Sequence, residues 1–378
     1  MKVITIVGTR PEIIRLSRVI PLLDQFCTHV LVHTGQNYDP LLSDVFFEQL
    51  GVRPPDVHLG ITATGFGAQV GELLPRVAQV LQEQQADRLL VLGDTNSGLA
   101  ALVAARMGIP VFHMEAGNRC YDDRVPEEIN RRVIDHSSNV LMPYTLRSKE
   151  NLVREGVERE RIFVTGNPIH EVLTHYAPQI DASDVLTRFN VQRGRFFLLT
   201  MHRAENVDDP ARLARLLDAV TSVSAEHGVP VLFSVHPRTA DRLARELGVS
   251  AITARLARAG LQPDPGKVRL LEPLGFFDFV RLEREALAVM SDSGTVQEEC
   301  AIFHVPNVTI RDVTERPETI ECGSNILTGS DPEAVAKAMR LVLALPTDWQ
   351  APAEYETPAV SHIVTRIVLG RLSLRRHQ

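Results

Sequence analysis

The sequence lacks the features that define several classes of protein. No apolar run reaches the roughly 18 residues that a membrane-spanning helix needs, and the run at residues 3–7 is too short for a signal sequence. No two cysteines form a CxxC pair, which argues against a disulfide framework or a zinc cluster and favours a reducing compartment. We therefore expect a cytoplasmic protein without a membrane segment. The four cysteines are Cys27, Cys120, Cys300 and Cys322.

A surplus of basic residues is also absent, because 40 lysines and arginines face 47 aspartates and glutamates, which gives a net charge of −7. This balance argues against a nucleic-acid partner, which usually requires a basic surface. A small anionic ligand is not excluded, because a local cluster of basic side chains suffices to bind it. The composition, 44% hydrophobic and 23% charged, is typical of a globular protein, and the length predicts two domains.

Three common ligand-binding motifs are missing as well. The loop after the first predicted strand, "VGTRPEIIR" (7–15), contains one glycine, Gly8. It therefore matches neither the GxGxxG fingerprint of dinucleotide-binding proteins nor the GxxxxGK[ST] phosphate loop. The HExxH spacing of many zinc sites is absent too. We predict neither a metal nor a cofactor.

What the chain does contain is an alternation of short apolar runs with amphipathic segments. The runs predict buried strands and the segments predict helices, so the pattern indicates βαβ units around parallel sheets. The pattern stops and restarts once, which predicts an α/β protein with two Rossmann-like domains. Ligands are expected at the carboxyl ends of the strands, in a cleft between the domains. The predicted strands are "KVITIV" (2–7), "HVLVHTG" (29–35), "RLLVLG" (88–93), "PVFHMEAG" (110–117), "NVLMPY" (139–144), "RIFVTG" (161–166), "FFLLTM" (196–201), "PVLFSV" (230–235), "KVRLLEP" (267–273), "ALAVMSD" (286–292) and "VPNVTI" (305–310).

The polar segment "THYAPQIDASDVL" interrupts the strand rhythm and marks the join between the two halves. We predict an N-terminal domain over residues 1–168 and a C-terminal domain over residues 169–357. After Thr357, which can act as an N-cap, Pro358 and an apolar stripe predict a last helix. We expect this helix, residues 358–378, to pack back on the first domain.

Charged residues follow several strands of the first half. Arg10 lies at the start of the first helix and Arg15 about one turn later, a setting that suits an anionic ligand, although Arg10 could instead be a structural ion-pair partner. Asp94, in "GDTNSG" (93–98), occupies a common position for a catalytic carboxylate and also for a helix N-cap. Glu115 directly follows a buried strand, where partial desolvation would raise its pKa toward a value useful in proton transfer.

The stretch "HMEAGNRCYDDRVPEEINRRVIDH" (113–136) combines these acids with many arginines. Pro126 predicts the first turn of a helix, on which Glu127 and Arg131 form one i, i+4 pair and Glu128 and Arg132 form another. As surface pairs they would contribute only about 0.3–0.5 kcal/mol each. We interpret Glu127 with Arg131 as part of a site, and the pair of Glu128 with Arg132 as solvated.

The second half offers a matching set of polar strand ends. In "SDSGTVQEE" (291–299), Ser293, Gly294 and Thr295 supply small donors at a predicted helix N-terminus, a good phosphate site; a simple capping motif is the alternative. His202 in "TMHRAEN" and His236 in "SVHPRT" each stand at the end of a strand. Together they favour a clamp for a polyanion over two isolated structural histidines.

These motifs in series resemble the non-hydrolysing UDP-N-acetylglucosamine 2-epimerases of bacterial surface-polysaccharide biosynthesis. The resemblance runs from "GTRPEIIRLS" through "GDTNS", "HMEAG", "RVPEEINRR", "MHRAEN", "HPR" and "DSGTVQEE" to "RDVTERPET", in the expected order. It implies the glycosyltransferase-B architecture and a homodimer. It also implies a reaction in which the C2 proton is removed and UDP is expelled to give a 2-acetamidoglucal, after which UDP adds back and C2 is reprotonated on the opposite face.

The resemblance also implies roles for individual residues. Catalytic roles fall to acids on both faces of the sugar and to a histidine near the leaving group, with the acid and the base not distinguished by sequence. The remaining residues would bind UDP or the substrate, with Glu299 on the uridine ribose. The catalytic residues are Asp94, Glu115, Glu127 and His202; the binding residues are Arg10, Arg15, Arg131, His236, Ser293, Gly294, Thr295, Glu299 and Arg316.

Two departures from the family pattern bear on function. Arg15 stands where most simple epimerases have lysine, and "TGQNYDPLL" (34–42) replaces the Gln-His motif of allosterically regulated members, which leaves activation by bound UDP-N-acetylglucosamine without support. Several blocks are most similar to the branch that forms UDP-N-acetyl-L-fucosamine. We prefer UDP-N-acetylglucosamine as substrate, with such a modified UDP-sugar as the alternative. A glycosyltransferase or a non-catalytic UDP-sugar sensor would have little use for so many acids.

Overall fold

The computed structural model describes residues 1–35, 40–236, 239–243 and 268–371. The chain folds as two units, each with its own sheet and core. The first unit comprises Met1–His175 together with the segment that begins at Ala353, and the second comprises Tyr176–Pro352.

The first unit contains a six-stranded sheet in the order β3-β2-β1-β4-β5-β6, and all of its paired neighbours are parallel. This is the Rossmann order, in which the direction of strand addition reverses between β1 and β4. That reversal leaves the loops after β1 and β4 side by side at the carboxyl edge. The strands are β1 Lys2–Val7, β2 Thr28–His33, β3 Val57–His58, β4 Arg88–Leu92, β5 Val111–Met114 and β6 Val140–Met142.

The second unit repeats the same order as β12-β11-β10-β7-β8-β9, again with parallel neighbours. Its reversal lies between β7 and β10. The strands are β7 Phe197–Met201, β8 Val231–Val235, β9 Val268–Leu271, β10 Ala288–Ser291, β11 Asn307–Thr309 and β12 Asn325–Leu327.

Helices connect the strands, as parallel pairing requires. The helices of the first unit include α1 Arg10–Leu16, α2 Val19–Phe26, α3 Pro40–Gln49, α4 Phe66–Glu83, α5 Ala100–Arg106, α6 Pro126–Ser137, α7 Leu146–Arg154 and α8 Ile169–His175. Those of the second unit include α9 Ala177–Ala182, α10 Val185–Arg188, α11 Ala204–Val207, α12 Pro210–His227, α13 Phe276–Glu285, α14 Gly294–Phe303, α15 Pro317–Glu321 and α16 Pro332–Ala344. The later helix α17, Val360–Leu369, packs against α2 in the first unit.

Apolar strand residues are buried on the sheets of both units, which explains the continuous apolar runs in the sequence. In the first sheet, Ile4 and Ile6 of β1 share an apolar cluster with Leu89 and Val91 of β4. In the second sheet, Phe197 and its neighbours in β7 divide between two clusters, one on each side of the sheet. None of the helices among the described residues is long and apolar enough to cross a membrane.

The strand predictions fail at one apolar run and at two sheet edges. The run at residues 161–166 is not a strand: Ile162 forms only an isolated bridge to Leu141, and Arg159–Arg161 just before it is a 3-10 turn. The short edge strands β3 and β12 were not predicted. They have two and three residues, and a period of two cannot be recognised over so short a stretch.

Candidate active site

Charged side chains of the first unit gather at the carboxyl ends of three neighbouring strands. Arg10 and Arg15 lie on α1, which follows β1, while Asp94 follows β4 and Glu115 follows β5. Because β1, β4 and β5 are adjacent in the sheet, the loops that carry these residues lie next to one another. The structure therefore brings together residues that are far apart in the sequence.

Glu115 is buried and bonded on several sides. Its carboxylate pairs with the guanidinium of Arg15 and accepts hydrogen bonds from Tyr144 Oη and Asn118 Nδ2, each at 3.3 Å. The Arg15 guanidinium also lies 5.5 Å from the centre of the Tyr144 ring, within cation–π range. The backbone of Glu115 has a left-handed φ of +66°, rare for a residue with a side chain. Burial and pairing together fix the position of this carboxylate.

Asp94 belongs to a second charged cluster that α6 supplies. Arg131 donates from Nε to Asp94 Oδ2 at 2.8 Å and from Nη1 to Glu128 Oε2 at 2.6 Å, so one guanidinium joins two acids. Asn130 on the same helix donates to the backbone oxygen of Asp94 at 3.0 Å. Asp94 retains 24% side-chain exposure, so it is the member of this cluster that a ligand can still reach.

The interpretation of Glu128 with Arg132 as a solvated pair is wrong. Arg132 does contact Glu128 at 3.3 Å, but Glu128 is completely buried. It also accepts backbone hydrogen bonds from Cys120 and Tyr121, each at 3.1 Å. Burial acts to raise the pKa of Glu128, yet the Cys120 amide and Arg131 outweigh it and hold the pKa below its ordinary value. Glu127 lies beside it in the first turn of α6 and is half-buried.

Glu12 is a site residue that the sequence prediction missed. It is 2% exposed, and its Oε2 accepts backbone hydrogen bonds from Gly8 and from Thr9, the latter at 2.9 Å. Its Oε1 accepts from the Thr95 hydroxyl at 2.5 Å, next to Asp94. Burial raises the pKa of Glu12 to about 7, the charge of Asp94 adds to the rise, and the hydrogen bonds oppose it. The pattern T-x-x-E at Thr9–Glu12, a capping box, was the available signal.

A buried network behind these residues supports the loops that carry them. Asp135 on α6 accepts from His113 Nδ1 at 2.9 Å and from Arg119 Nη2 at 2.7 Å. His113 Nε2 lies 2.9 Å from the carbonyl oxygen of Gly93, the residue before Asp94. Asp135 also accepts from the amide of Gly117, just after Glu115. One buried carboxylate thus anchors both acid-bearing loops.

In the second unit the two predicted histidines lie together. The rings of His202, after β7, and His236, after β8, are 5.7 Å apart between centres. Asp292, at the end of β10, fixes the first of them. Its carboxylate accepts from the backbone amides of His202 and Arg203 and from Asn206 Nδ2, and it lies 3.2 Å from His202 Nδ1. Asp292 was missed, although its place directly after an apolar run was a usable signal.

Helix α14 begins where the sequence predicts. Ser293 is at the N-cap position and the helix starts at Gly294. The Ser293 side chain makes no cap hydrogen bond, which argues against a purely capping role. Both Ser293 and Thr295 are partly exposed.

Two buried acids flank the remaining predicted residues of this unit. Arg316 is 3% exposed and pairs with Glu298, which is completely buried. Glu299, 4% exposed, hydrogen-bonds with Glu283 of α13. Burial and the charge of Glu299 raise the pKa of Glu283 well above its ordinary value. The Glu299 carboxylate therefore favours the protonated form of Glu283.

The segment compared with the regulatory Gln-His motif, residues 34–42, falls largely outside the described residues. Gly35 can be placed, with a left-handed φ of +86°, but residues 36–39 lie beyond the described ranges. The prediction about activation by UDP-N-acetylglucosamine therefore stays a prediction.

Comparison with known proteins identifies a family. A family model described as UDP-N-acetylglucosamine 2-epimerase matches residues 23–368. The UDP-N-acetylglucosamine 2-epimerase of Methanocaldococcus jannaschii is 39% identical over 359 residues, 93% of this chain and 95% of that protein. The UDP-2,3-diacetamido-2,3-dideoxy-D-glucuronate 2-epimerase of Pseudomonas aeruginosa is 36% identical over 348 residues, 91% of this chain and 92% of that protein.

A solved structure extends the match to three dimensions. The M. jannaschii UDP-GlcNAc 2-epimerase in complex with UDP-GlcNAc and UDP superposes with a TM-score of 0.89 at 38% identity, covering 97% of this chain and 99% of the other. The predicted fold class is thereby confirmed, as is the resemblance drawn from the motifs. This chain belongs to the UDP-N-acetylglucosamine 2-epimerase family.

Proposed function

We propose that this protein inverts C2 of a UDP-activated N-acetylhexosamine, and that UDP-N-acetylglucosamine and UDP-N-acetylmannosamine are the interconverted pair. The observation that carries the proposal is the pair of acids at adjacent strand ends, Asp94 with Arg131 and Glu115 with Arg15. Family membership supports the reaction class, and two relatives whose names include this substrate or a derivative of it support the substrate class.

The chemistry explains why several acids are needed. The C2 proton is not adjacent to a carbonyl group, so its removal requires a positioned base and a well-stabilised leaving group. Removing this proton while the bond from C1 to the UDP oxygen breaks gives UDP and the 2-acetamidoglucal. Re-addition of UDP at C1 then accompanies protonation of C2 on the opposite face. We assign the proton transfers to the set Asp94, Glu115 and Glu127.

The leaving diphosphate requires several hydrogen-bond donors and positive charges close together. We assign this role to Arg10 in the first unit and to His202, His236 and Arg316 in the second, with the hydroxyl groups at the start of α14 beside them. Arg15 and Arg131 hold the acids as well as adding positive charge. Glu299 is assigned to the uridine ribose, whose hydroxyl groups can donate to a carboxylate.

Incubation of the protein with UDP-N-acetylglucosamine in D2O tests this function. Deuterium at C2, together with UDP-N-acetylmannosamine, is the expected result, because the proton returned to C2 exchanges with solvent. If no UDP-N-acetylhexosamine exchanges its C2 proton, the protein does not catalyse this reaction. A glycosyltransferase would instead consume the donor only when an acceptor is present.

Two variants test the assigned acids. Asp94→Asn and Glu115→Gln should abolish exchange and leave UDP affinity nearly unchanged, because each removes a carboxylate without removing volume. Asp123→Asn is the matched control, since Asp123 is 69% exposed and pairs with Arg132 in the same region. If either site variant loses UDP affinity in parallel with exchange, that acid has a structural or binding role.

A modified UDP-sugar is the second candidate substrate. The P. aeruginosa relative, named for UDP-2,3-diacetamido-2,3-dideoxy-D-glucuronate, is nearly as similar to this chain as the archaeal enzyme. A panel of UDP-N-acetylglucosamine, that compound and UDP-6-deoxy-N-acetylhexosamines, compared by kcat/KM, identifies the substrate. If kcat/KM is at least tenfold higher for a modified sugar, that sugar would replace UDP-N-acetylglucosamine as the assigned substrate.

We also propose a homodimer in the cytoplasm, as the family resemblance implies. The calculated mass of one chain is 42.0 kDa, so light scattering on a sizing column should report about twice this value for a dimer. A mass near that of one chain would contradict the dimer. Cell fractionation tests the location separately.

A further inference from the structure

The carboxyl group of Glu12 connects two loops that carry site residues. One of its oxygens accepts from the backbone amides of Gly8 and Thr9, at the start of the helix that bears Arg10. The other accepts from the hydroxyl of Thr95, next to Asp94. A capping role explains the first oxygen only, because the bond to Thr95 crosses from α1 to the loop after β4.

Glu12 is buried, whereas Thr95 is partly exposed beside Asp94. Among the described residues, Asp94 is the acid that acts on Glu12 from another element, while Arg10 and Arg15 lie on its own helix. On helices packed against α1, Asp24 of α2 is bonded to Arg53 and Glu171 of α8 to Ser361. The other titratable side chains on these packed helices include His170 of α8 and Glu48 of α3, and the charge that contributes to the raised pKa of Glu12 is that of Asp94.

We propose that Glu12 is a positioning residue for Asp94, and that the charge of Glu12 controls how strongly the Asp94 carboxylate attracts a proton. The inference rests on the proposed function, in which Asp94 takes part in proton transfer. When Glu12 is protonated, the nearby positive charge of Arg131, which Asp94 shares with Glu128, keeps Asp94 a weak base. When Glu12 is ionised, the neighbouring negative charge makes Asp94 a stronger base.

The environment of Glu12 places this change in the physiological range. Burial raises the pKa of Glu12 to about 7, and the Thr95 hydrogen bond counteracts part of the rise. The rate of C2 exchange should therefore increase as the pH rises through about 7. Two like charges separated by several ångströms near a protein surface repel each other by about 1 kcal/mol or more. This repulsion corresponds to an increase in the exchange rate of roughly fivefold to tenfold.

The pH profile of C2 exchange under saturating substrate tests the proposal. The wild type should show a rise near pH 7, and Glu12→Gln should remain at the low level of the acid side, because glutamine keeps the cap but cannot ionise. Thr95→Val should move the rise to higher pH, because it removes a bond that favours the ionised form. Glu171→Gln, a matched change on α8, should leave the profile unchanged. A merely structural role for Glu12 would lower exchange equally at all pH values.

If Glu12→Gln retains the wild-type rise, the proposal is wrong. If this variant does not fold, Thr95→Val decides, and an unshifted rise in that variant overturns the proposal.

A measurement without turnover separates this inference from the proposed function. In protein with 13C-labelled glutamate carboxyl groups, the signal missing from Glu12→Gln should titrate near pH 7. It should titrate at lower pH in Asp94→Asn, because the coupling acts in both directions. An unmoved midpoint contradicts the coupling even if exchange occurs. Absence of exchange together with a moved midpoint contradicts only the proposed function.

Discussion

At the residue scale, buried charges in this protein are accompanied by buried partners. Asp135 is the clearest example, because it is completely buried and bonded to His113, Arg119 and the amide of Gly117. Removal of such a carboxylate leaves buried donors such as the Gly117 amide without their acceptor, which usually costs more than the pair itself contributes. The network therefore holds the acid-bearing loops only while it is complete.

We expect Asp135→Asn to lower the free energy of unfolding at pH 7 by about 3 kcal/mol, since one member of a buried ion network is lost. Burial acts to raise the pKa of Asp135, but His113 and Arg119 outweigh it and lower the pKa. The stabilisation is therefore fully present above the unfolded-state pKa of about 4 and disappears as the pH falls below it.

Urea unfolding at several pH values measures this difference. The gap between wild type and Asp135→Asn should narrow as the pH falls below about 4. The exposed Asp123→Asn should change stability by less than about 0.5 kcal/mol. A gap that does not depend on pH would show that the loss comes from packing and not from charge.

At the scale of elements, the loop between β5 and α6 depends on one glycine. Gly117 has a left-handed φ of +79°, and a Cβ there would collide with the carbonyl oxygen of Ser148 and lie 2.8 Å from Leu152 Cγ. Helix α7, which carries both residues, therefore packs directly on the loop that follows Glu115. The close approach fixes the path of the chain between Glu115 and α6.

Gly117→Ala should destabilise the protein by about 3 kcal/mol or more, because the strain of a left-handed alanine is added to a backbone clash. Gly108→Ala separates the two effects: its φ is +73°, but nothing lies within 4 Å of its Cβ position. Gly108→Ala should lower the free energy of unfolding by about 1 kcal/mol. Thermal unfolding compares them, and equal losses in the two variants would contradict the clash.

The sequence predicted the strands that carry the sites, because long apolar runs such as β1 and β7 are buried on both faces and need no further context. It also placed Asp94, Glu115, His202 and His236 at strand ends. What it could not predict was which acidic side chain pairs with which arginine. The i, i+4 rule pairs Glu128 with Arg132 on a solvated face, whereas tertiary packing buries Glu128 and directs Arg131 to Asp94.

The missed residues share a physical reason. Glu12, Asp135 and Asp292 act as acceptors for groups that are distant in the sequence, such as Thr95, His113 and Asn206. Such pairs have no periodicity, and only the fold brings them together. Polar residues that support a site are therefore harder to predict than those that stand at strand ends.

At the scale of the whole molecule, two units with the same strand order divide the proposed roles. The acids that we assign to proton transfer lie in the first unit, and most of the assigned UDP-binding groups lie in the second. A ligand that lacks the sugar should therefore affect the units unequally. A UDP concentration of 100 times Kd stabilises the folded state that binds UDP by about 2.7 kcal/mol.

Amide hydrogen exchange with and without UDP tests this division. UDP should protect the start of α14 and the loop around Arg316 more than the loop between β5 and α6. Asp94→Asn should show the same protection as the wild type, because that acid is not assigned to UDP. Protection confined to the first unit would place the nucleotide there and contradict the assignment.

The raised pKa of Glu283 beside Glu299 has a calorimetric consequence. If the uridine ribose donates to Glu299, this hydrogen bond favours the ionised form and lowers the proton affinity of the pair, so UDP binding releases protons. The heat of binding at one pH should then differ between buffers in proportion to their enthalpies of ionisation. Glu283→Gln should remove the difference, and equal heats for the wild type in all buffers would show that UDP does not engage this pair.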